Sequence, residues 1–587
     1  MIDRKLSCDV LVIGSGGAGL RAAAEAAKLG ASVILVSKGK VNRSGATLLA
    51  GANVSADLMA DGGSLAAMGF GSADKNDNAE KWYEDIIHEG FYVNDRELVR
   101  LYVDTAAQRL QELLDAGAKV TAVEEGGRQI GMAGSEILDA LYRMVTSMGV
   151  RMLEDTALVE LLKDGKGAAA GALLLDVVHG RLISVNSKAV VLATGGMHNC
   201  YTFNSGTSGL CGEGHAAAMR MGAEMTLMEM VTFCPDVITA PSRFRGSILP
   251  YILQCMGYGR LVNGKGEEFL HKYLSPSAVK LALGSEWNKL LLSYAMHKET
   301  EAGLGDEHGG VRFSIAYLSP EQRAGLEEIV PQLKRGVYSE IMAGHDAEGG
   351  ISVHAAGHYF DGGILVDASM ASTVPGLYAA GECAGGLFGA NRVGAATTQM
   401  LVMGAKAGES AAKYALESDM PAIDPAWLEK SAGEVLAPFE WEDGELPRNL
   451  RKKTSAVITQ SAGIVRDENG LRAGIIGLSE LANERIYLPE KSRAANRGWL
   501  DWLEARSMNL CGKAIMKSSL ERRESRGVFI RSDHMYTDND NGLYETILKN
   551  GIVTKRFVEQ GNVLPEAGRF DYFDSIERCI RRLSYSD

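Results

Sequence analysis

The stretch from Cys8 to Ala23, an apolar run followed by Gly14-Ser15-Gly16-Gly17-Ala18-Gly19 and then by alanine-rich sequence, constrains this chain more than any other. It reads as a buried strand, a glycine turn and a helix. Gly14, Gly16 and Gly19 fit G-x-G-x-x-G, in which the glycines serve a tight turn, close backbone approach to a pyrophosphate and tight helix–strand packing. The helix start then offers unpaired N–H groups and the positive end of its dipole to phosphate. Ala31 to Val36 reads as the next strand and completes a β-α-β unit. Dinucleotide binding is therefore expected, although such a turn on its own also serves purely structural ends.

With 587 residues, the chain has the length for several domains with large cores. A net charge of −13 argues against nucleic acid or an anionic membrane surface as partner. Eight cysteines are scattered with no C-x-x-C pair, which reads as reduced, buried thiols and gives no iron–sulfur or zinc ligand set; no metal is expected. No apolar run reaches the length of a membrane span, and the first strand begins too early for a leader. The expected location is the cytoplasm, with any attachment to the inner face of the membrane made through a partner.

After the second strand, Ser37-Lys38 stands where dinucleotide folds place an acid on the adenosine ribose, which argues against an ordinary NAD site. Arg43-Ser44-Gly45-Ala46-Thr47 through Gly51-Ala52-Asn53 is small and polar, suited to lying against a flat ring. Helical patterns follow at 78–117 and 138–148, and strands at 150–153 and 170–176. Ala189 to Gly196 is a core strand ending in Ala193-Thr194-Gly195-Gly196. From about Pro235 to Gly350 the pattern turns to mixed strands and helices without glycine fingerprints, which reads as an insertion. The signature resumes with His354 to Val366, Val374 to Glu382 and Gly389-Ala390-Asn391-Arg392-Val393-Gly394.

With these blocks in order, the chain resembles the flavoprotein subunit of the succinate dehydrogenase/fumarate reductase family, with L-aspartate oxidase and the adenylylsulfate reductase flavoprotein as relatives. Further matching blocks are Glu229 to Phe233, Asn263 to Phe269, His358-Tyr359, Gly362-Gly363 and Arg523 to Gly527. The resemblance implies an α/β fold: a Rossmann-type FAD-binding domain (1–234 and 351–424) with an inserted α+β capping domain (235–350). A C-terminal helical domain (425–540) and a tail (541–587) follow. It implies FAD, cradled by Gly14, Gly16, Gly17, Ala18 and Gly19, by Ser37 and Lys38, and by Ser44, Gly45 and Ala46. Further along, Ala193, Thr194 and Gly195, then Gly381 and Glu382, then Arg392, Ala395, Thr397 and Thr398 complete the set. It also implies an iron–sulfur electron-transfer partner, since this chain carries no cluster ligands of its own.

Departures from the family carry equal weight. Respiratory members attach FAD through a histidine shortly after the Arg-Ser pair; Gly45 stands there, so FAD is expected to be non-covalent, which favours substrate reduction. Of the family's dicarboxylate site, His358 and Arg392 survive. Cys234-Pro235 replaces His-Pro, the Thr, Glu and Arg places fall on Tyr251, Ile252 and Cys255, and the proton-donating arginine falls between Glu286 and Lys289. His358, Arg392, Lys289, Cys234 and Tyr251 are thus the candidate catalytic residues, with Cys234 equally readable as a packing thiol. One carboxylate keeps its two-pronged arginine and the other loses its charge partner. A carboxylate-bearing small molecule other than plain fumarate or succinate is the expected substrate. Sulfur redox chemistry of the adenylylsulfate reductase kind, or a non-catalytic FAD electron-transfer role, remains open.

Overall fold

The computed structural model describes residues 2–50, 53–57, 77–123, 128–249, 259–284, 288–329, 339–343, 345, 350–392 and 395–583. Strand β1 (Arg4–Ile13) enters the core and turns at Gly14 into helix α1 (Gly17–Lys28), which leads to β2 (Val33–Val36). A short strand β3 (Asn53–Ser55) comes next, then β4 (Arg151–Leu153), β5 (Thr156–Lys163), β6 (Ala169–Asp176) and β7 (Arg181–Leu192). These form a seven-stranded sheet in the order β4-β2-β1-β7-β6-β5, β3 excepted, with a later strand also paired to β7. Pairing is parallel through β4, β2, β1 and β7, and antiparallel across β5, β6 and β7. The register sets Ile13 beside both Val36 and Leu192, so the Gly14 and Ala193 turns leave the sheet side by side. Val10 to Ile13 are buried in a continuous run, as befits a strand covered on both faces.

Helix α2 (Glu213–Met221) and strand β8 (Met225–Thr226) lead out of this layer to β9 (Val231–Ala240). There the chain builds a second, antiparallel sheet from β10 (Arg260–Val262), β11 (Val311–Ser314) and β12 (Ile351–Phe360), in the order β9-β12-β11-β10. Helix α3 (Asn288–Glu301) lies across β9 and β12, and the Ser293 hydroxyl donates to the Phe233 carbonyl at 3.4 Å. The chain then regains the first sheet through β13 (Gly363–Ile364) and β14 (Leu377–Ala379), the latter parallel to β7.

Helix α4 (Ala396–Glu417) packs along α1 at very short range. A Cβ at Gly404 would stand 2.6 Å from the Ala18 carbonyl oxygen, and one at Gly408 would stand 2.2 Å from that of Ala22. Small residues four apart on both helices permit this approach, which explains the alanine and glycine richness. Helices α5 (Pro447–Ser461), α6 (Glu468–Asn483) and α7 (Arg497–Glu521) pack on one another.

The last segment differs from the tail expected of it. Strands β15 (Tyr544–Lys549) and β16 (Ile552–Phe557) extend the sheet β13-β8-β15-β16, and helix α8 (Tyr572–Ile580) buries Tyr572, Ile576 and Ile580. The polar composition belongs to the outer, mostly exposed strand β16, whereas β15 is buried from Tyr544 to Leu548.

Candidate active site

The nucleotide cradle is shaped by glycines that the protein itself needs and by one that it does not. Gly14 has φ +110°, and a Cβ there would stand 2.1 Å from the Ala193 carbonyl oxygen. A Cβ on Gly19 would fall 1.8 Å from the Gly14 oxygen, and one on Gly17 would fall 2.0 Å from Met400 Sδ. Gly16 differs: the nearest described atom to its Cβ position is Thr47 Oγ1 at 3.7 Å. The middle glycine therefore opens onto space, at a helix start whose N-cap makes no side-chain hydrogen bond. That is the geometry a pyrophosphate requires.

Around this turn, Ser15 Oγ donates to Ser37 Oγ at 2.6 Å and ties the loop to the end of β2. The Ser44 hydroxyl donates to the Lys40 carbonyl at 2.7 Å, and Gly45, at φ +89°, N-caps the single helical turn that begins at Ala46. Ala193 N–H donates to the Ile13 carbonyl at 2.8 Å, and Thr194 Oγ1 lies 3.3 Å from Cys383 Sγ. Gly195, at φ +71°, lets the β7 turn run on into Gly196.

Three expected cradle residues spend their side chains elsewhere. The Lys38 ammonium donates to Glu213 and pairs with Glu504 at 2.6 Å, in a cluster that joins α2 to α7; these two carboxylates hold its proton more tightly than usual. Thr397 Oγ1 donates to the Asn53 carbonyl. Thr398 Oγ1 donates to the Ser55 carbonyl and accepts from the Ser55 N–H, both at 2.8 Å. They clamp β3, an interaction across more than 300 residues that a local pattern does not reveal. Ala395 is the N-cap of α4, and its carbonyl accepts from the Tyr102 hydroxyl at 3.2 Å.

Glu382 follows Gly381, whose φ of +69° brings the chain against Ala18. Its Oε1 accepts from the Phe360 N–H at 3.2 Å and lies 3.7 Å from His198 Nε2. A Cβ on Gly196 would stand 2.4 Å from that same oxygen, so the second glycine of Ala-Thr-Gly-Gly makes room for this carboxyl. Burial pushes the Glu382 carboxyl above its ordinary range.

Three of the five candidate catalytic residues share one polar pole. His358 lies two residues before the end of β12, opposite an irregularity in the pairing with β9, where Tyr359 pairs with Thr232 but Gly357 pairs with Phe233. Arg392 Nη2 donates to His358 Nε2 at 3.2 Å, so the ring proton sits on Nδ1 and donates to Ser205 Oγ at 2.7 Å. Burial, with the charges of Arg392, Lys289 and His198, holds His358 far below the usual histidine range. It is thus a neutral ring that orients the guanidinium. Arg392 also lies 4.6 Å over the Tyr359 ring, and the Tyr359 hydroxyl donates to Gln399. Lys289, buried in the first turn of α3, is close enough for its charge to act on His358.

Cys234 belongs to different surroundings. It pairs with Ala356 across the sheet and packs with Val237, Phe203 and Ile248 in a small apolar cluster. Tyr251, with Ile252, Cys255 and Glu286, lies outside the described residues. Sequence reasoning missed Ser205, His198, Gln399 and Asp361. Only Asp361 carried a signal, as an acid directly before the paired glycines at the end of an apolar strand.

Among the buried polar atoms with no hydrogen-bond partner among the described residues are His198 Nδ1, Asp361 Oδ1 and Asn391 Nδ2. They lie where the Ala193–His198, Asp361–Gly363, Gly381–Glu382 and Asn391–Arg392 segments meet. Buried polar groups without partners are costly, and their convergence suits a polar ring system seated among them. The residues present therefore fit FAD.

Residues 9–398 match the FAD binding domain family, and residues 451–565 match the fumarate reductase flavoprotein C-terminal family. A fumarate reductase (CoM/CoB) subunit from Methanothermobacter marburgensis is 30% identical over 90% of this chain and 94% of its own length. The L-aspartate oxidase of Streptomyces coelicolor is 29% identical over 91% and 90%. Among solved structures, Mycobacterium smegmatis Sdh1 in complex with UQ1 superposes with a TM-score of 0.81 at 27% identity, over 96% of this chain and 95% of that one. With cradle, fold and sequence in agreement, this chain belongs to the fumarate reductase/succinate dehydrogenase flavoprotein family and is an FAD-dependent oxidoreductase.

Proposed function

We propose that this chain exchanges a hydride between FAD and a carboxylate-bearing substrate other than plain fumarate or succinate, and trades electrons with an iron–sulfur partner. One observation carries the reading: Arg392, His358, Ser205 and Lys289 gather at a single pole, while Cys234 sits among Val237, Ala356, Phe203 and Ile248. A cation-rich pole can hold one carboxylate. An apolar neighbourhood leaves a second carboxylate without its charge partner, which costs several kcal/mol, about what separates a substrate from a non-substrate.

In this reading Gly14 to Gly19 and the start of α1 hold the cofactor's pyrophosphate, and Glu382 with the Ala193–Gly196 turn holds the sugar and ring edge. FAD supplies hydride chemistry when bound. Arg392 binds the carboxylate, oriented by the Nδ1–H tautomer of His358 and by the Tyr359 ring. Lys289 would hold the proton exchanged with the substrate. Gly45 favours a non-covalent cofactor, because φ +89° is a conformation that a histidine adopts only under strain.

Reoxidation of the reduced holoenzyme by a panel of 2-enoic monocarboxylates, thioester-bearing acids, sulfur anions and fumarate tests the reading. Turnover with one monocarboxylate or thioester-bearing class is expected, and it should be abolished in Arg392→Ala with FAD still bound. Rapid fumarate reduction would overturn the substrate assignment. Flavin that stays on the polypeptide after acid denaturation would overturn non-covalent binding.

A further inference from the structure

Asp361 has no role in the scheme above, and the fold gives no packing reason for a carboxyl at its position. Its flanking residues are Phe360, Gly362 and Gly363, and its side chain is buried. The backbone is fixed on both sides: Asp361 N–H donates to the Met230 carbonyl at 3.1 Å, and its carbonyl accepts from Gly386 N–H at 3.2 Å. The carboxyl is held by one donor, Thr232 Oγ1 at 2.9 Å to Oδ2, while Oδ1 has no partner among the described residues. It stands within electrostatic reach of Arg392 and Glu382, both assigned above to the cofactor and substrate machinery.

We propose that Asp361 is the group that takes up a proton when the bound FAD is reduced, so that the charge of the closed pocket stays constant. Two electrons and one proton, delivered from a reductant and from solvent, leave the cofactor with one extra negative charge. A second proton converts the Asp361 carboxylate to the acid and cancels that charge. When the cofactor is reoxidised, Asp361 returns this proton to solvent.

Of the other titratable groups facing this space, His358 and Tyr359 are fixed in one state, and Lys289 brings a charge that acts on His358. His358 is held neutral by burial and by Arg392, Lys289 and His198. Tyr359, on the same strand, keeps its proton because burial and Glu382 push it far up. Glu382 accepts from the Phe360 N–H at 3.2 Å, with His198 Nε2 3.7 Å away, and burial pushes its carboxyl up as well. Arg392 is a permanent cation. Asp361 is balanced between its two states: burial pushes it up to about 7, while Thr232 and Arg392 keep it from rising further; Glu545, which burial also pushes up to about 7, is engaged instead by Arg556 Nε at 2.7 Å. A buried carboxyl so placed responds to a change in neighbouring charge by changing its protonation.

Redox titration of the holoenzyme with dithionite across pH 6 to 9 tests this through the pH dependence of the flavin midpoint, without any substrate. At pH 8 the native protein is expected to take up two protons per two electrons, falling to one below Asp361's titration. Asp361→Asn should take up one throughout. Thr232→Val, which removes the donor to Oδ2, should move the break to higher pH and serves if the Asn variant fails to hold FAD. Infrared difference spectra on reduction should show a protonated carboxyl band in the native protein that Asp361→Asn lacks. One proton per two electrons in the native protein at pH 8, or two in Asp361→Asn, would overturn the assignment. Neither result bears on which carboxylate is the substrate.

Discussion

The two ends of the cofactor site are built on opposite plans. The nucleotide end is backbone and hydrogen: Gly14 and Gly19 exist so that chain segments can lie where a single methyl would collide. The substrate end is made of side chains, with Arg392, His358, Ser205 and Lys289 drawn from four separate segments into one polar pole. A site made of backbone tolerates little change and is tied to one cofactor. A site made of side chains can be rebuilt residue by residue while the cradle stays fixed.

The largest expected effect would break this contrast if it failed. Gly19→Val places carbon where the Gly14 oxygen stands 1.8 Å away, at the junction of β1, α1 and β7. We expect colourless protein with FAD binding lost and stability reduced by about 3 kcal/mol or more, from overpacking against backbone. Gly16→Ala is the control, since its Cβ position meets no described atom nearer than 3.7 Å. Its apoprotein should melt within about 0.5 kcal/mol of the native apoprotein, as for substitutions that disturb no packing, yet bind FAD at least tenfold more weakly. Equal losses of stability in both variants would show that Gly16 is also structural.

The next effect separates chemistry from binding at the substrate end. Lys289→Met should lower kcat by about 10²- to 10⁴-fold, the usual contribution of a positioned proton donor, and leave the visible flavin spectrum unchanged. Lys289→Arg should restore part of the rate and shift its alkaline limit upward. A loss confined to KM would make Lys289 a binding residue and transfer the proton to another group.

The cradle was legible in the sequence because its demands are local. A strand, a glycine spacing and a helix start are all read within twenty residues. Lys38, Thr397 and Thr398 were expected at the cofactor, and their side-chain partners Glu213, Glu504, Asn53 and Ser55 lie between about 170 and 470 residues away, where residue type alone does not reveal them. His358 and Arg392 were legible through motif and family order, and their hydrogen bond gives the pair its chemistry. Cys234 was legible only as a departure; its apolar cluster required the register of β9 against β12. Asp361 passed unnoticed because a single acid in a matching block reads as surface until its burial is known.

The smallest effect compares two histidines made neutral in different ways. His215, in α2, is fully buried with no hydrogen-bond partner on either ring nitrogen among the described residues, and burial alone pulls it down to about 4. His358 is pulled down by burial together with Arg392, Lys289 and His198, and both of its ring nitrogens are hydrogen-bonded. For His215 the unfolded chain binds the proton more readily than the folded one. Stability is therefore intact above about pH 6.5, the unperturbed value, and is lost as pH falls from there toward 4. Between pH 7.5 and 5.5 this one residue should cost about 1–1.5 kcal/mol, and His215→Leu should remove that part of the acid-side slope in denaturant titrations without moving the pH profile of turnover. Arg392→Gln should do the reverse: relieved of the neighbouring cation, His358 titrates at higher pH, so the acid limb of residual activity moves while the stability slope of His215 persists. A turnover profile that moves with His215 instead would erase the distinction between the two ends of the site, because it would mean that a buried ring behind the cradle is coupled to the chemistry at the substrate pole.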